Sequence, residues 1–294
     1  MPKAAPVKPA PFDYHCPGDL AEAIALLQQH GDEAKVLAGG QSLIPLLSLR
    51  LSRFDHLVDL RAIEELRGVT TDDGSIRVGA MTTQANLARS EDAAAVPLLA
   101  KATSHIGHYQ IRNRGTLGGS LAHADPAAEY PAVALALDAS FEIVGPSGAR
   151  RIPAADFFIS TWVTAIEPDE VLAAAHFPIW SGNCGWAVAE VARRAGDFAM
   201  CGAVCGIQLD GQRVSRTALA LFGVASAPVR AHAAESVVTG ATVDDLDLPD
   251  IGAAVAATLD PPGDVHASGD QRGRMAKTLV PQVLAAAIDE ARHA

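Results

Sequence analysis

Two glycine pairs, each closing an apolar run, constrain this chain more than any other feature. They are Ala38-Gly39-Gly40-Gln41-Ser42 and Thr116-Leu117-Gly118-Gly119-Ser120. Lys35 to Ala38 reads as a short buried strand. Ser42 to Leu49 reads as a helix of about two turns, with Pro45 fitting its first turn. At such a strand-to-helix turn, free N–H groups and the positive helix end favour a phosphate, and glycine lets a ligand approach without a Cβ in the way. For the first pair alone, a tight β-α turn remains the alternative. Two pairs, each leading toward a helix, suggest two backbone cradles closing on one long anionic ligand.

The first run is not GxGxxG, and no acidic residue follows at the spacing a ribose-binding Rossmann unit needs, which disfavours that mode of NAD binding. Between Ile106 and Ser120 lie Gly107, Gly115, Gly118 and Gly119, the hydroxyls of Thr116 and Ser120, and Arg112 and Arg114. That density suits a dinucleotide's diphosphate and polyol chain, which want many short donors.

Composition narrows the classes further. A chain of 294 residues suits two or three domains. Its 34 acidic against 23 basic residues give a net charge of −11, and without a basic stripe this argues against general nucleic-acid binding. No apolar stretch is long enough to span a bilayer. The start, Met1-Pro2-Lys3-Ala4-Ala5-Pro6, lacks the apolar segment of a secretory signal and reads as an extended leader. Cys16, Cys184, Cys201 and Cys205 form no CxxC, so neither a zinc site nor a cysteine-ligated iron–sulfur cluster is encoded in the usual spacing. They read as free thiols in a reduced cytoplasm.

Along the chain, Asp19 with Glu22 and Gly31 bounds a helix, and Leu57 to Leu60 is a strand. Residues of about 12–60 thus form a small β-α-β-α-β layer. Ile76 to Ala80 is a strand, Thr82 and Thr83 open a helix, and another helix precedes Ile106. Asp125-Pro126 is expected to start an Ala-rich helix running to Leu137, with Asp as cap and Pro at its first position. Ser140 to Val144 and Arg150 to Ile152 suggest a hairpin. Pro178 to Gly185 is the best linker. Trp186 to Ala192, Met200 to Leu209 and Ala218 to Val224 follow as three strands, with helices after Ser226 and Gln271. Pro281 is expected to kink or divide the last helix.

The runs Lys35 to Arg50, Val78 to Thr83, Gly107 to Pro131, Asp156 to Phe158, Arg193 to Ala199 and Asp264 to Arg272 resemble the FAD-binding medium subunit of the molybdenum hydroxylases, the xanthine dehydrogenase and carbon monoxide dehydrogenase family. The resemblance covers nearly the whole chain. It implies an α+β fold: a two-lobed FAD-binding domain over 1–180, then a C-terminal α+β domain over 181–294. The first lobe, about 12–60, would be a small β-α-β unit. The second, about 61–180, would hold a mixed or antiparallel sheet, and the C-terminal domain a three-stranded antiparallel sheet.

The same resemblance implies the site. Ala38, Gly39, Gly40, Gln41, Ser42 and Leu43 would hold the FAD diphosphate, with Thr116, Gly118, Gly119 and Ser120 closing along diphosphate and ribityl. Ile106 and Gly107 would lie against the flavin ring, and the Gly196-Asp197-Phe198 turn near its edge. Asp125 belongs to the same cofactor-binding set. Glu129 stands where the family usually has an aspartate bonded to the ribityl chain; first-turn helix electrostatics is its alternative role. Ser160 and Gln271 depart from the family's usual glycine and tyrosine, and the cysteine-bearing insertion that carries an extra cluster in some relatives is absent.

The implied FAD is non-covalent, and the implied partners are a small subunit with two 2Fe–2S clusters and a large molybdenum–pterin subunit, in a dimer of heterotrimers. Electrons would pass from the clusters through FAD to an external acceptor, and this chain would carry no acid–base catalyst and no metal. Two alternatives stand beside this: a self-sufficient FAD oxidase or dehydrogenase of related fold, and a flavin-less interaction subunit, which the intact glycine motifs oppose. A rival of another class is an iron site at His123-Ala124-Asp125, completed by His176, His232 or His266. The Ala-rich helix expected after it counts against the jelly-roll strands such sites use.

Overall fold

A computed structural model describes residues 8–294. The leader read over residues 1–6 lies outside the described residues. The chain opens with β1 (Asp13–His15), α1 (Leu20–His30), β2 (Ala34–Leu37), α2 (Leu43–Ser48) and β3 (His56–Asp59). The three strands form a parallel sheet in the order β1-β3-β2. Asp19 accepts from the Glu22 amide at 2.8 Å while the Glu22 carboxylate accepts from the Gly18 amide at 2.8 Å, fixing the start of α1. Ala23, Ile24 and Leu27 then pack on Val58, Leu60, Ile63 and Leu66. At the carboxyl edge of this sheet the chain leaves β2 into the first glycine pair. At the opposite, amino edge, Asp13 and Ala34 flank His56 in one row.

The middle unit comprises β4 (Val69–Asp72), β5 (Ser75–Gly79), α3 (Gln84–Leu87), α4 (Pro97–His105), α5 (Tyr109–Arg112), α6 (Leu117–His123), α7 (Glu129–Ala136), β6 (Ser140–Gly145), β7 (Gly148–Pro153), α8 (Ala154–Phe157), β8 (Phe158–Ser160), β9 (Val163–Thr164) and β10 (Val171–Pro178). An antiparallel sheet in the order β4-β5-β10-β6-β7 carries it. Its central strand β10 escaped sequence reading because Val171 to Ala175 is apolar throughout, buried on both faces, and shows no alternation.

The helix expected from Asp125 begins later, at Glu129. Ala124 ends α6 in the left-handed region, φ +48°, and the Asp125 carboxylate accepts from the Ala127 amide at 2.9 Å. The Pro126 carbonyl accepts from the Gly223 amide at 2.7 Å. Asp125 therefore organises a turn, and Ala128 takes the cap position of α7.

The last unit is an antiparallel sheet of four strands, not three: β11 (Asn183–Ala192), β12 (Ala199–Asp210), β13 (Arg213–Phe222) and β14 (Val229–Arg230). The extra edge strand is two residues long, too short to leave a periodic signal. Helices α9 (His232–Val238), α10 (Leu248–Thr258) and α11 (Gly269–His293) follow. Ser268 and Gln271 form a reciprocal capping box at the start of α11, so the departure at Gln271 has a structural role here. Pro281 does not divide α11. The Lys277 carbonyl, whose usual donor proline removes, and the Pro281 ring face Gly252 of α10, where a Cβ would lie 2.6 Å from each.

One core joins the middle and last units: Leu117, Leu121, Tyr130 and Val133 pack with Val204, Ala218, Ala220 and Phe222. The expected linker is itself packed, with Trp180 against Trp186 at 4.8 Å and beneath the Arg216 guanidinium at 4.0 Å. Arg272 donates to the carbonyls of Met200 and Gly223 and pairs with Asp264 at 2.7 Å, which explains the chemistry concentrated between Asp264 and Arg272. Among the described residues, no helix is long and apolar enough to cross a membrane.

Candidate cofactor cradle

The two glycine runs meet. A Cβ on Gly39 would overlap the Arg114 carbonyl oxygen and lie 2.8 Å from the Gly115 Cα. A Cβ on Gly119 would lie 3.2 Å from the Ala38 side chain and 2.8 Å from Thr116 Oγ1. Only glycine permits both approaches, so Ala38, Gly39, Thr116 and Gly119 form one continuous backbone surface.

The runs contribute differently. The amides of Gly39, Gly40, Gln41 and Ser42 find no acceptor among the described residues. Gly40 has φ +74°, the Gln41 side chain donates to the Gly39 carbonyl at 3.2 Å, and the Ser42 hydroxyl makes no capping bond to α2, which starts at Leu43. This is an open row of donors.

In the second run the amides are used within the fold. Leu117 donates to Thr82, Gly118 to Ala80, and Gly119 to Thr116 Oγ1 at 3.0 Å; Ser120 donates to the Thr116 carbonyl. A Cβ on Gly118 would overlap Ala80. The run from Val78 to Thr83 is thus the floor on which α6 rests. The second glycine pair serves close packing, and the Ser120 hydroxyl makes no hydrogen bond among the described residues.

A second convergence lies around His108. The Arg112 guanidinium donates to the carbonyls of Ile106 and Gly107 at 2.8 and 3.0 Å, shaping their turn, and Gly107 takes φ +48°. Gly196, φ +85°, lies over the His108 ring, where a Cβ would come 2.6 Å from Nδ1. The turn before β12 is thereby set against the Ile106–Gly107 segment. The Asp197 carboxylate pairs locally with Arg194 at 3.1 Å. Phe198 is 65% exposed and Tyr109 63%.

Glu129 is buried, with the charges of Glu190 and Asp125 nearby. Burial, then these two carboxylates, raise its pKa from 4.5 to about 8, against the lowering effect of its own amide. Asp125 also accepts from Trp162 Nε1 at 3.3 Å, and the Trp162 ring stacks on His123 at 6.2 Å. Burial lowers the His123 pKa, opposed by Asp125 and assisted by Lys35. Trp162, 61% exposed at φ +60°, carried no sequence signal because it stands alone in a loop.

The iron-site rival fails. His123 Nε2 lies 4.0 Å from Asp125, but His176 pairs with Glu142 at 3.2 Å, His232 with Glu235 at 3.3 Å, and His266 lies in the loop held by Asp264. Among the described residues, these histidines do not gather. A different trio does: His15, His30 and His56, which the sequence reading did not single out because they are scattered over the first lobe. Cys201 and Cys205 are buried in β12, and burial pushes the Cys201 thiol up to about 12.

Comparisons with known proteins identify the family. A family described as the FAD binding domain in molybdopterin dehydrogenase matches residues 10–180, and one described as the CO dehydrogenase flavoprotein C-terminal domain matches residues 186–287. The chain is 39% identical over 288 residues to the 6-hydroxypseudooxynicotine dehydrogenase complex subunit alpha of Paenarthrobacter nicotinovorans, covering 97% of each. It is 37% identical over 280 residues to the carbon monoxide dehydrogenase medium chain of Hydrogenophaga pseudoflava, covering 95% of this chain and 98% of that one. A solved structure of carbon monoxide dehydrogenase from Hydrogenophaga pseudoflava, lacking the Mo-pyranopterin moiety of its molybdenum cofactor, superposes with a TM-score of 0.93 at 38% identity, over 96% of this chain and 99% of that one. The chain belongs to the FAD-binding medium subunits of the molybdenum hydroxylase family.

Proposed function

We propose that this chain holds one FAD non-covalently and serves as the electron-transferring subunit of a three-component molybdenum dehydrogenase. The observation that carries this is the joined surface of Ala38, Gly39, Thr116 and Gly119, lined on one side by four unengaged amides. The residues present fit a dinucleotide: the two runs meet through an approach that only glycine allows, and the donors beside it are short and neutral.

Gly39, Gly40, Gln41 and Ser42 would donate to the diphosphate, with Ala38 and Leu43 framing them. Thr116, Gly118, Gly119 and Ser120 would form the opposing wall, the Ser120 hydroxyl reaching the ribityl. Asp125 and Glu129 would extend that wall, and Ile106, Gly107 and Asp197 would lie near the flavin ring. FAD, when bound, would supply the redox chemistry between the 2Fe–2S clusters of a small partner and an external acceptor. The protein's own contribution is positioning and exclusion of water; none of these residues is assigned proton transfer to a substrate. A large molybdenum–pterin partner would oxidise the substrate, and the assembly would be a dimer of heterotrimers.

The division at about residue 180, into a two-lobed FAD-binding domain and a C-terminal domain, is part of the same proposal. So is a cytoplasmic location, which the buried free thiols of Cys201 and Cys205 support. Copurification tests the reading. Tagged chain isolated from its native host should bring down two further subunits with molybdenum, iron and flavin. Substrate oxidation by the chain alone, with no partner, would overturn it in favour of a self-sufficient flavoenzyme.

A further inference from the structure

We propose that His15, His30 and His56 form a binding site for one divalent transition-metal ion, with zinc(II) as the fitting occupant. The site is on the first lobe, at the edge of the sheet opposite the glycine cradle.

The three imidazoles come from three elements: the end of β1, the last residue of α1 and the first residue of β3. Their ligating nitrogens all lie within 4.8 Å of one another. His15 Nε2 and His56 Nδ1 are 3.2 Å apart, and the His30 ring stacks on His56 with centroids 3.7 Å apart. A tetrahedral zinc ion with bonds of about 2.0–2.1 Å leaves its ligand atoms about 3.3 Å from each other. The His15–His56 pair already has that separation. His30 closes the set by swinging out of its stack, a motion open to a half-buried side chain on a final helical turn.

Neutral imidazoles are donors for zinc, copper and nickel rather than for magnesium or calcium. The Asp13 carboxylate, 3.8 Å from His56 Nδ1 and largely exposed, is the available fourth ligand. Two histidines often meet by chance; three from separate elements with a carboxylate beside them make a donor set of the kind structural ions use.

Separation from the cradle follows from strand register. His56 pairs with Ala34 and Asp13, whereas the chain enters the glycine turn beyond Leu37, which pairs with Asp59. His56 therefore lies three residue steps, about 10 Å, before the row of Leu37 and Asp59, and His15, which pairs with Val58, lies about 10 Å across the sheet from β2, because β3 stands between β1 and β2. An ion here would tie β1 to α1 and β3, pinning the start of the described chain without touching the flavin site.

The test uses full-length chain stripped with chelator and titrated with zinc by calorimetry, and with cobalt(II) as a spectroscopic probe. The expected result is one saturable zinc per chain, the intense visible band of four-coordinate cobalt, and a melting temperature that rises with zinc. His30→Ala, at an accessible helix end, should weaken zinc binding by about tenfold or more and abolish the thermal shift. His293→Ala should change neither, and flavin content should be equal in all three proteins. Absence of saturable binding, or equal binding by His30→Ala and the unsubstituted chain, would overturn the proposal.

Discussion

Gly39 and Arg114 come into backbone contact: the α-carbon of one faces the carbonyl oxygen of the other so closely that a methyl group could not be inserted. This one approach turns the strand-to-helix turn after β2 and the loop between α5 and α6 into two sides of a single surface. It also explains why glycine is required there for a reason unrelated to φ, whereas Gly40 beside it takes a left-handed conformation.

Gly39→Ala should therefore lose bound flavin. The overlap is with backbone, so the 114–115 segment must shift, at a cost of about 1–3 kcal/mol. The flavin-to-protein absorbance ratio should fall sharply while circular dichroism stays native. An unchanged ratio would mean that the two runs do not close on the cofactor.

Glu129 predicts a pH dependence of the flavin-free chain. Its folded pKa is raised to about 8, so the fold favours the protonated acid. That contribution is complete below the ordinary value of 4.5 and is lost as pH rises through 8. Glu129→Gln, permanently neutral, should match the unsubstituted chain near pH 5 and melt several degrees higher near pH 9. Parallel melting curves across that range would contradict the assignment.

Arg272 is a buried cation held by two carbonyls and Asp264. Arg272→Met should destabilise the chain by about 3 kcal/mol, because it leaves those acceptors without a donor. Chemical denaturation measures this, and an effect within error would remove Arg272 from its role in locking the Asp264 loop to β12 and β13.

Two glycines of the C-terminal region should respond oppositely to alanine. Gly252→Ala meets Lys277 and Pro281 and should cost about 1–3 kcal/mol. Gly273, in α11 with open space around it, should gain about 0.5–1 kcal/mol on the same change. Equal shifts would show that α10 does not pack closely at Pro281.

Much of this was legible in the sequence, for identifiable reasons. Asp19, Gly31, Thr83 and the first glycine pair act through local backbone rules, and the elements they bound fall within a residue or two of expectation. The family runs, read as likeness, singled out the two glycine runs that meet in the fold. What escaped depends on distant contacts. Asp125 and Pro126 satisfy every local rule for a helix start, yet the Gly223 amide and the left-handed Ala124 fix a turn there instead. Gln271, a departure from the family's usual tyrosine, completes a capping box with Ser268. Pro281 looked like a break, but Gly252 on the neighbouring helix makes room for it. No spacing rule relates His15, His30 and His56; only the parallel register of β1 and β3, with α1 packed over them, brings the three together.

The most direct measurement is the flavin content of the purified full-length chain after reconstitution with FAD, with the released cofactor identified by mass. One FAD per chain, dissociable by denaturation and lost in Gly39→Ala, is the expected result. A chain that folds normally yet takes up no flavin would contradict the cradle formed by Ala38, Gly39, Thr116 and Gly119.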